Sequence, residues 1–245
     1  MLEFRGVSER GNSRKQVNQD SILMCSNGAC GLFVVSDGIG GLASGEVASR
    51  KVTAALRNWW DVASSRISSS PITSAADELE DVVLSVNDEL LSGTVRCGAT
   101  IVSLLVINNA YAVVSAGDSR AYMYGTDSEL CQISVDDVWE FDTELTRCLT
   151  PNEIANSKER GKLTKAVGVE EDLSLNVSTG SIDGKTIFLL MSDGIYKCCP
   201  ESDLNEIASD VYSKDDIGVG IAKAVSHVYK NGAKDNLSLV IVSFS

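Results

Sequence analysis

The sequence predicts an α+β fold in which antiparallel sheets carry helices on their outer faces. Two observations predict it: strand-like segments follow one another in clusters, and helical segments come in adjacent pairs. An alternating βαβ chain would interleave the two kinds.

The elements follow in order. The first third reads as strand at 2–7, 21–25 and 31–36, then turns helical in "SGEVASRKVTAALRNWWDV" (44–62). There Val47, Val52, Ala55, Leu56 and Trp59 recur at helical spacing, with Ser44 as the expected cap and Glu46 in the first turn. A second helix is predicted over "ITSAADELEDVVLSVNDELL" (72–91), capped by Thr73 or Ser74 and burying Leu79, Val82, Val83, Val86 and Leu90. The middle is rich in strands: "GATIVSLLVI" (98–107), "AYAVVSAGD" (110–118) and "RAYMYG" (120–125), the first two joined by the two-residue turn Asn108-Asn109. Residues 134–168 form a long, irregular polar excursion, of the kind that marks function or mobility. The end returns to a strand (186–191), two helices near 201–211 and 215–230, and a last strand, "NLSLVIVSF" (236–244).

The 245 residues, 44% of them hydrophobic, suffice for one sizeable core or two small ones. "SSRISSSP" (64–71) sits between two helical patterns and reads as their loop, so residues 1–245 are expected to form a single domain. The net charge of −13 repels phosphate backbones and anionic lipid, which sets nucleic acid and membranes aside as partners. Seven cysteines, with no C-x-x-C pair, give no zinc or disulfide framework and are expected to be buried and reduced. The opening "MLEFRGVSERG" lacks the apolar stretch of a signal peptide, so the expected location is cytoplasmic. His227, late on the last helix, reads as a packing or surface residue, and Trp59-Trp60 as core and interhelix packing.

Chemistry enters at the strand ends. Asp37 follows "LFVVS", Asp118 follows "VVSAG", Asp193 follows "FLLMS", and Asp235 precedes "NLSLVIV". In an antiparallel arrangement strand ends lie beside neighbouring strand starts, so all four acids are expected on one rim. Two carboxylates ~4 Å apart repel by roughly 4 kcal/mol at an effective dielectric of about 20, so such a group calls for a cation. All-oxygen donors favour Mg²⁺ or Mn²⁺, and a single histidine argues against zinc. Gly38 and Gly194, after Asp37 and Asp193, are expected to turn the backbone tightly and to offer a carbonyl. Asp-Gly also ends strands merely because both residues favour turns, but four acidic ends plus "DGIGG" outweigh that explanation.

In order along the chain, "KQVNQDS" (15–21), "SDGIGG" with "SGEVAS" (36–49), "GAT" (98–100), "GDSRAY" (117–122), "LTKAVG" (163–168), "LLMSDGIY" (189–196) and "DNLSLVIV" (235–242) resemble the motifs of metal-dependent Ser/Thr protein phosphatases of the 2C type, bacterial in kind. The resemblance implies a four-layer αββα sandwich: two antiparallel sheets flanked by helix pairs. It also implies two principal metal sites, Mn²⁺ or Mg²⁺, at one end of the sandwich. Asp37, Asp193 and Asp235 would be the catalytic metal carboxylates: Asp37 would bridge the two ions, Asp193 and Asp235 would complete the ligands of the first, and the Gly38 carbonyl would bind the second. Asp118 matches the acid of a third, weaker site, and Asp20 would hold metal-bound waters. The implied reaction is hydrolysis of phosphoserine and phosphothreonine monoesters by a hydroxide bridging the two metals. The implied partners are phosphorylated proteins, in opposition to a Ser/Thr kinase, met by a monomeric enzyme; 134–168 would be the flap.

Three positions depart from the pattern. Gln19 stands where Glu is common, Ile39 where some relatives carry His, and Lys15 where the phosphate-binding Arg is usual, with Arg14 beside it. Lysine supplies a point charge in place of a bidentate fork, so Lys15 or Arg14 is expected to meet the substrate phosphate. Two rival readings remain. "TGSIDGKTIFLLMSD" (179–193) has the Gly184-Lys185-Thr186 core of a nucleotide-binding loop, but lacks its first glycine and runs into a strand where a helix is required. A phosphatase-like module that binds phosphoproteins without hydrolysing them is the other.

Overall fold

The computed structural model describes residues 1–39 and 44–245. Gly40 and Gly41 of "DGIGG" lie outside the described residues.

The apolar runs of the sequence become strands buried on both faces. In β3 (Cys30–Asp37), Leu32 and Val34 face one hydrophobic cluster while Phe33 and Val35 face another. In β9 (Thr186–Met191), Ile187, Leu189 and Met191 alternate in the same way with Phe188 and Leu190. Successive side chains point to opposite faces, so a strand covered on both sides needs a mostly apolar run. β4 (Ile101–Ile107) and β10 (Leu237–Phe244) repeat the pattern.

Two five-stranded sheets result, every neighbour antiparallel. One runs β1 (Leu2–Glu9), β10, β9, β6 (Arg120–Tyr124), β7 (Leu130–Gln132). The other runs β2 (Asp20–Asn27), β3, β4, β5 (Ala110–Ala116), β8 (Asn176–Ser181). They pack face to face over Phe33, Val102, Leu104, Phe188, Leu190 and Val242. Helices α1 (Gly45–Ala63) and α2 (Ile72–Leu91) cover the outer face of the second sheet. The short α3 (Thr143–Thr146) and α4 (Pro151–Ala155) lie within the excursion after β7. After α5 (Asp193–Tyr196), helices α6 (Glu201–Lys214) and α7 (Ile217–Lys230) cover the outer face of the first sheet. The expected αββα layering is the observed one.

Several local expectations are corrected. The buried stripe of α1 runs Ala48, Val52, Leu56, Trp60, leaving Val47 half exposed; the apolar face begins one residue later than expected. Trp60 is buried, whereas Trp59 is partly covered and donates its indole N–H to Glu78 Oε2 at 3.0 Å. Ser44 stands at the start of α1 in a left-handed conformation, with φ 67°, and its side chain caps nothing. α2 opens directly after Pro71, so neither Thr73 nor Ser74 is its cap; proline's fixed φ suits a helix start. The cysteines are all free, but Cys131 and Cys148 are exposed, because they lie on the edge strand β7 and in the 134–168 excursion. That excursion is more ordered than its composition suggests: α4 carries a complete Thr150/Glu153 capping box, and a bridge pairs Val138 with Leu163. Lys185 pairs with Asp215, and Thr186 opens a strand, so Gly184-Lys185-Thr186 forms no phosphate loop.

Candidate active site

Each acidic residue is delivered by a strand end. Asp20 opens β2 and Asp37 closes β3, and the two are direct cross-strand partners. Asp118 lies in the three-residue step from β5 to β6, which carries the chain between sheets. Asp193 follows β9 by two residues and Asp235 precedes β10 by two; β9 and β10 are antiparallel neighbours. The four acids first noted thus meet at one end of the sandwich, drawn from both sheets and not from a single rim. Asp37, Asp118, Asp193 and Asp235 line one pocket of about 270 Å³, together with Lys15, Ile39, Thr100, Gly161, Leu163 and Lys197.

The backbone around the acids is fixed by buried polar contacts. The Asp37 amide donates to Thr100 Oγ1 at 3.1 Å, and the Thr100 hydroxyl meets that of Ser119 at 2.7 Å. The Ser192 hydroxyl donates to Asp20 Oδ2 at 2.8 Å and itself accepts from the Ser238 amide at 3.0 Å. Asn236 holds the strand before Asp20: its Oδ1 accepts from the Gln19 amide at 2.9 Å and its Nδ2 donates to the Arg10 carbonyl. Gln19 is buried, and its carbonyl accepts from Gly38 N and from the Ser49 hydroxyl.

Gly38 and Gly194 do not serve as tight turns, since neither has a positive φ. They are sites of close approach. A Cβ on Gly38 would lie 2.4 Å from the Gly45 carbonyl, and one on Gly194 would lie 1.9 Å from the Asn236 carbonyl oxygen. Glycine is needed because the backbone after Asp37 and after Asp193 presses against a neighbouring segment.

Burial pushes the Asp37 carboxyl well above the usual carboxylate range, and Asp20 and Asp193 nearby push it further. Burial likewise raises Asp20, against the hydroxyl hydrogen bonds that favour its anion, and raises Asp118 with help from Asp193. Two lysines answer this charge. Lys15 Nζ lies 2.8 Å from Asp235 Oδ1; burial alone would lower its pKa, but Asp235 and then Asp37 hold it above the ordinary value. Lys197 Nζ lies 2.6 Å from Asp193 Oδ2 and 3.8 Å from Asp118 Oδ2. The Tyr196 hydroxyl donates to Asp118 Oδ2 at 3.1 Å, and the Arg120 guanidinium stacks 3.8 Å above the Tyr196 ring. Arg14, the alternative phosphate ligand, is exposed and does not line the pocket. Lys197 and Tyr196 were missed from sequence, although the four-residue step from Asp193 to Lys197 is the spacing that brings helical side chains together.

Divalent cations suit the donors. Two of the three buried side-chain atoms without a hydrogen-bond partner among the described residues are Asp20 Oδ1 and Asp193 Oδ1. A buried carboxylate oxygen without a partner is costly, and a hard cation satisfies it. Among the described residues no three acidic side chains already converge as a ligand cage; Lys15 and Lys197 stand between them. An ion that engages both oxygens of Asp235 therefore competes with the Lys15 ammonium.

Comparisons agree with this geometry. The family model described as "Protein phosphatase 2C" matches residues 6–238. A curated relative, the serine/threonine phosphatase stp of Listeria innocua, is 24% identical over 98% of this chain and 94% of its own length. The solved structure of PppA from Pseudomonas aeruginosa superposes with a TM-score of 0.77 at 29% identity, covering 99% of this chain and 98% of that one. The catalytic domain of serine threonine protein phosphatase PstP, solved with two manganese ions, shares the fold with a TM-score of 0.76 at 22% identity, covering 100% of this chain and 99% of that one.

Proposed function

Because this chain belongs to the protein phosphatase 2C family, we propose that the carboxylate pocket is its hydrolytic centre. The protein is a metal-dependent phosphoprotein phosphatase, and phosphoserine and phosphothreonine monoesters are its substrates in this reading. The observation that carries it is the meeting of Asp37, Asp118, Asp193 and Asp235 with Lys15 in one pocket, two of whose neighbouring buried carboxylate oxygens lack any protein partner.

Asp37, Asp193, Asp235 and the Gly38 carbonyl would hold two manganese or magnesium ions, with Asp20 and Asp118 at the periphery. Bound there, such ions lower the pKa of water and neutralise phosphoryl oxygens. The chain's own residues do the rest. Ser192 orients Asp20 through its hydroxyl, and Thr100 anchors the Asp37 backbone. Lys197 holds one oxygen of Asp193 and leaves the other, Oδ1, turned to its own use. Lys15 offers a positive charge at the pocket wall for the substrate phosphate, a role for which exposed Arg14 is poorly sited. Ile39 and Leu163 make the apolar side of the pocket, and the 134–168 excursion, through Gly161 and Leu163, acts as a flap over it.

Residues 1–245 act as one catalytic unit in this reading, a cytoplasmic monomer opposing a Ser/Thr kinase. Among the described residues no helix is long and apolar enough to cross a membrane. Manganese-dependent hydrolysis of p-nitrophenyl phosphate tests the assignment, with Asp37→Asn and Asp193→Asn as variants. Both are expected to lose at least about a hundredfold in kcat/KM while staying folded. Equal rates in wild type and variants would leave only the non-hydrolysing binding module.

A further inference from the structure

A cleft of about 920 Å³ opens beside the carboxylate pocket, between α5, the start of α6 and the C-terminal end of α7. It shares Asp193, Lys197 and Asp235 with that pocket, so the two form one continuous depression. A phosphorylated protein that places its phosphate over the carboxylates must lead its chain away from them. This cleft, continuous with the carboxylates, offers such a path.

Its charge is unlike that of the rest of the molecule. The chain carries −13, yet Lys230 and Lys234 stand exposed in the cleft wall, and among the described residues neither makes an ion pair. The other lysine in the wall, Lys197, is committed to Asp193 and Asp118. Apart from Asp193 and Asp235, the acidic wall residue is Asp203, whose carboxylate His227 Nδ1 engages at 3.0 Å. The ground beneath the lysines is firm. Asn231 donates its side-chain N–H to the Cys198 carbonyl at 2.9 Å, tying the end of α7 to the segment after α5. Buried Ala233 accepts from the Asn12 amide at 2.7 Å just before Lys234. Two unpaired ammonium groups are thus held at a preformed opening of an otherwise anionic surface.

We propose that the cleft receives the segment flanking the phosphorylated residue and selects segments that carry carboxylate side chains. The inference rests on the phosphatase reading above and adds the substrate class. A neutral segment would leave both lysines without a partner, and a basic one would face them with like charge. Contacts of this kind are exposed, so each is expected to change binding by about 1.7-fold to threefold, and both by about threefold to tenfold.

The test uses the full chain with manganese and two phosphothreonine peptides that differ only in flanking Glu against flanking Gln. Wild type is expected to favour the Glu peptide about threefold to tenfold in kcat/KM at low ionic strength, with the preference shrinking as salt is added. In the Lys230→Gln/Lys234→Gln double variant the preference is expected to vanish, while hydrolysis of p-nitrophenyl phosphate, which has no flanking segment to lay in the cleft, stays unchanged. Each single variant is expected to lose part of the preference, which covers the case of a double variant that folds poorly. Fluorescence anisotropy with the same peptides, labelled, reads binding apart from turnover. Failure of p-nitrophenyl phosphate hydrolysis in wild type would strike the phosphatase reading alone. No preference for Glu in wild type, in rate or in binding, overturns the cleft assignment, and so does a preference that survives in the double variant.

Discussion

Replacing Asp37 by Asn should stabilise the protein when it is stripped of divalent ions. Asp37 and Asp20 are cross-strand partners whose carboxyls lie within hydrogen-bonding reach, and Asp193 stands near both. Two such charges ~4 Å apart repel by roughly 4 kcal/mol at an effective dielectric of about 20. Asp37 can escape by keeping its proton, but near pH 7 that also costs about 4 kcal/mol. Neutral pH lies about three units above the ordinary 3.8, at ~1.4 kcal/mol per unit. The two routes cost about the same, so neither removes the burden. Lys15 faces the same carboxylates; taking its attraction as about half of that repulsion leaves roughly 2 kcal/mol that an uncharged amide of the same shape would not carry. At about 2–4 °C per kcal/mol for a chain of this size, Asp37→Asn is expected to raise the Tm of the stripped protein by about 4–8 °C. Ions at a hundredfold their dissociation constant add about 2.7 kcal/mol to wild type, and the variant should gain less than half of that. Differential scanning fluorimetry with chelator, then with manganese, reads both quantities. A stripped variant that melts below wild type, or an equal manganese shift in the two proteins, would refute the electrostatic account.

Other outcomes follow from the same geometry. With Asp37, Asp20 and Asp118 all raised, the proton-bound carboxyls favour the fold below their ordinary pKa, and that contribution is lost as pH rises through the raised values. The stripped wild type should therefore lose Tm between mildly acidic and neutral pH, and Asp37→Asn should flatten the slope; thermal melts across pH check this. Lys15→Ala is expected to raise KM about tenfold for a phosphopeptide with kcat changed less than threefold, and Lys15→Arg to keep KM. An unchanged KM in steady-state assays of Lys15→Ala would remove the side-chain clamp altogether, because Arg14 does not line the pocket. Gly194→Ala should cost about 3 kcal/mol, since its Cβ would lie 1.9 Å from a backbone oxygen, and urea melts would show it. Full retention of stability there would mean that β10 shifts to make room.

How much of this was legible in the chain depends on what each segment buries. β3, β4, β9 and β10 announce themselves because they are covered on both faces and are therefore apolar along most of their length. β8 was invisible: "NVSTGS" pairs with β5 through its backbone alone while its side chains stay half or fully exposed. β7, at three residues, is too short for any period to show. The acids at strand ends were readable for a related reason, since an apolar run that stops on Asp marks where a sheet meets its edge. The lysines among them were harder. Lys15 is legible because a motif sets it five residues before Asp20, whereas Lys197 belongs to no apolar pattern and is brought back to Asp193 by one turn of a four-residue helix. Gly194 was expected for its turning ability, but its function depends on Asn236, more than forty residues further on, and only tertiary packing reveals such a collision.

One consequence remains in the way the aspartates are shared out. Asp20 and Asp37 belong to one sheet, Asp193 and Asp235 to the other, and Asp118 sits on the strap that passes between them. A divalent ion held by such a set would act as a rivet through both plates of the sandwich, driven at one end only. Drawing it out should let that end gape while the opposite end stays shut, and amide exchange would record the loosening as a gradient along β3 and β9.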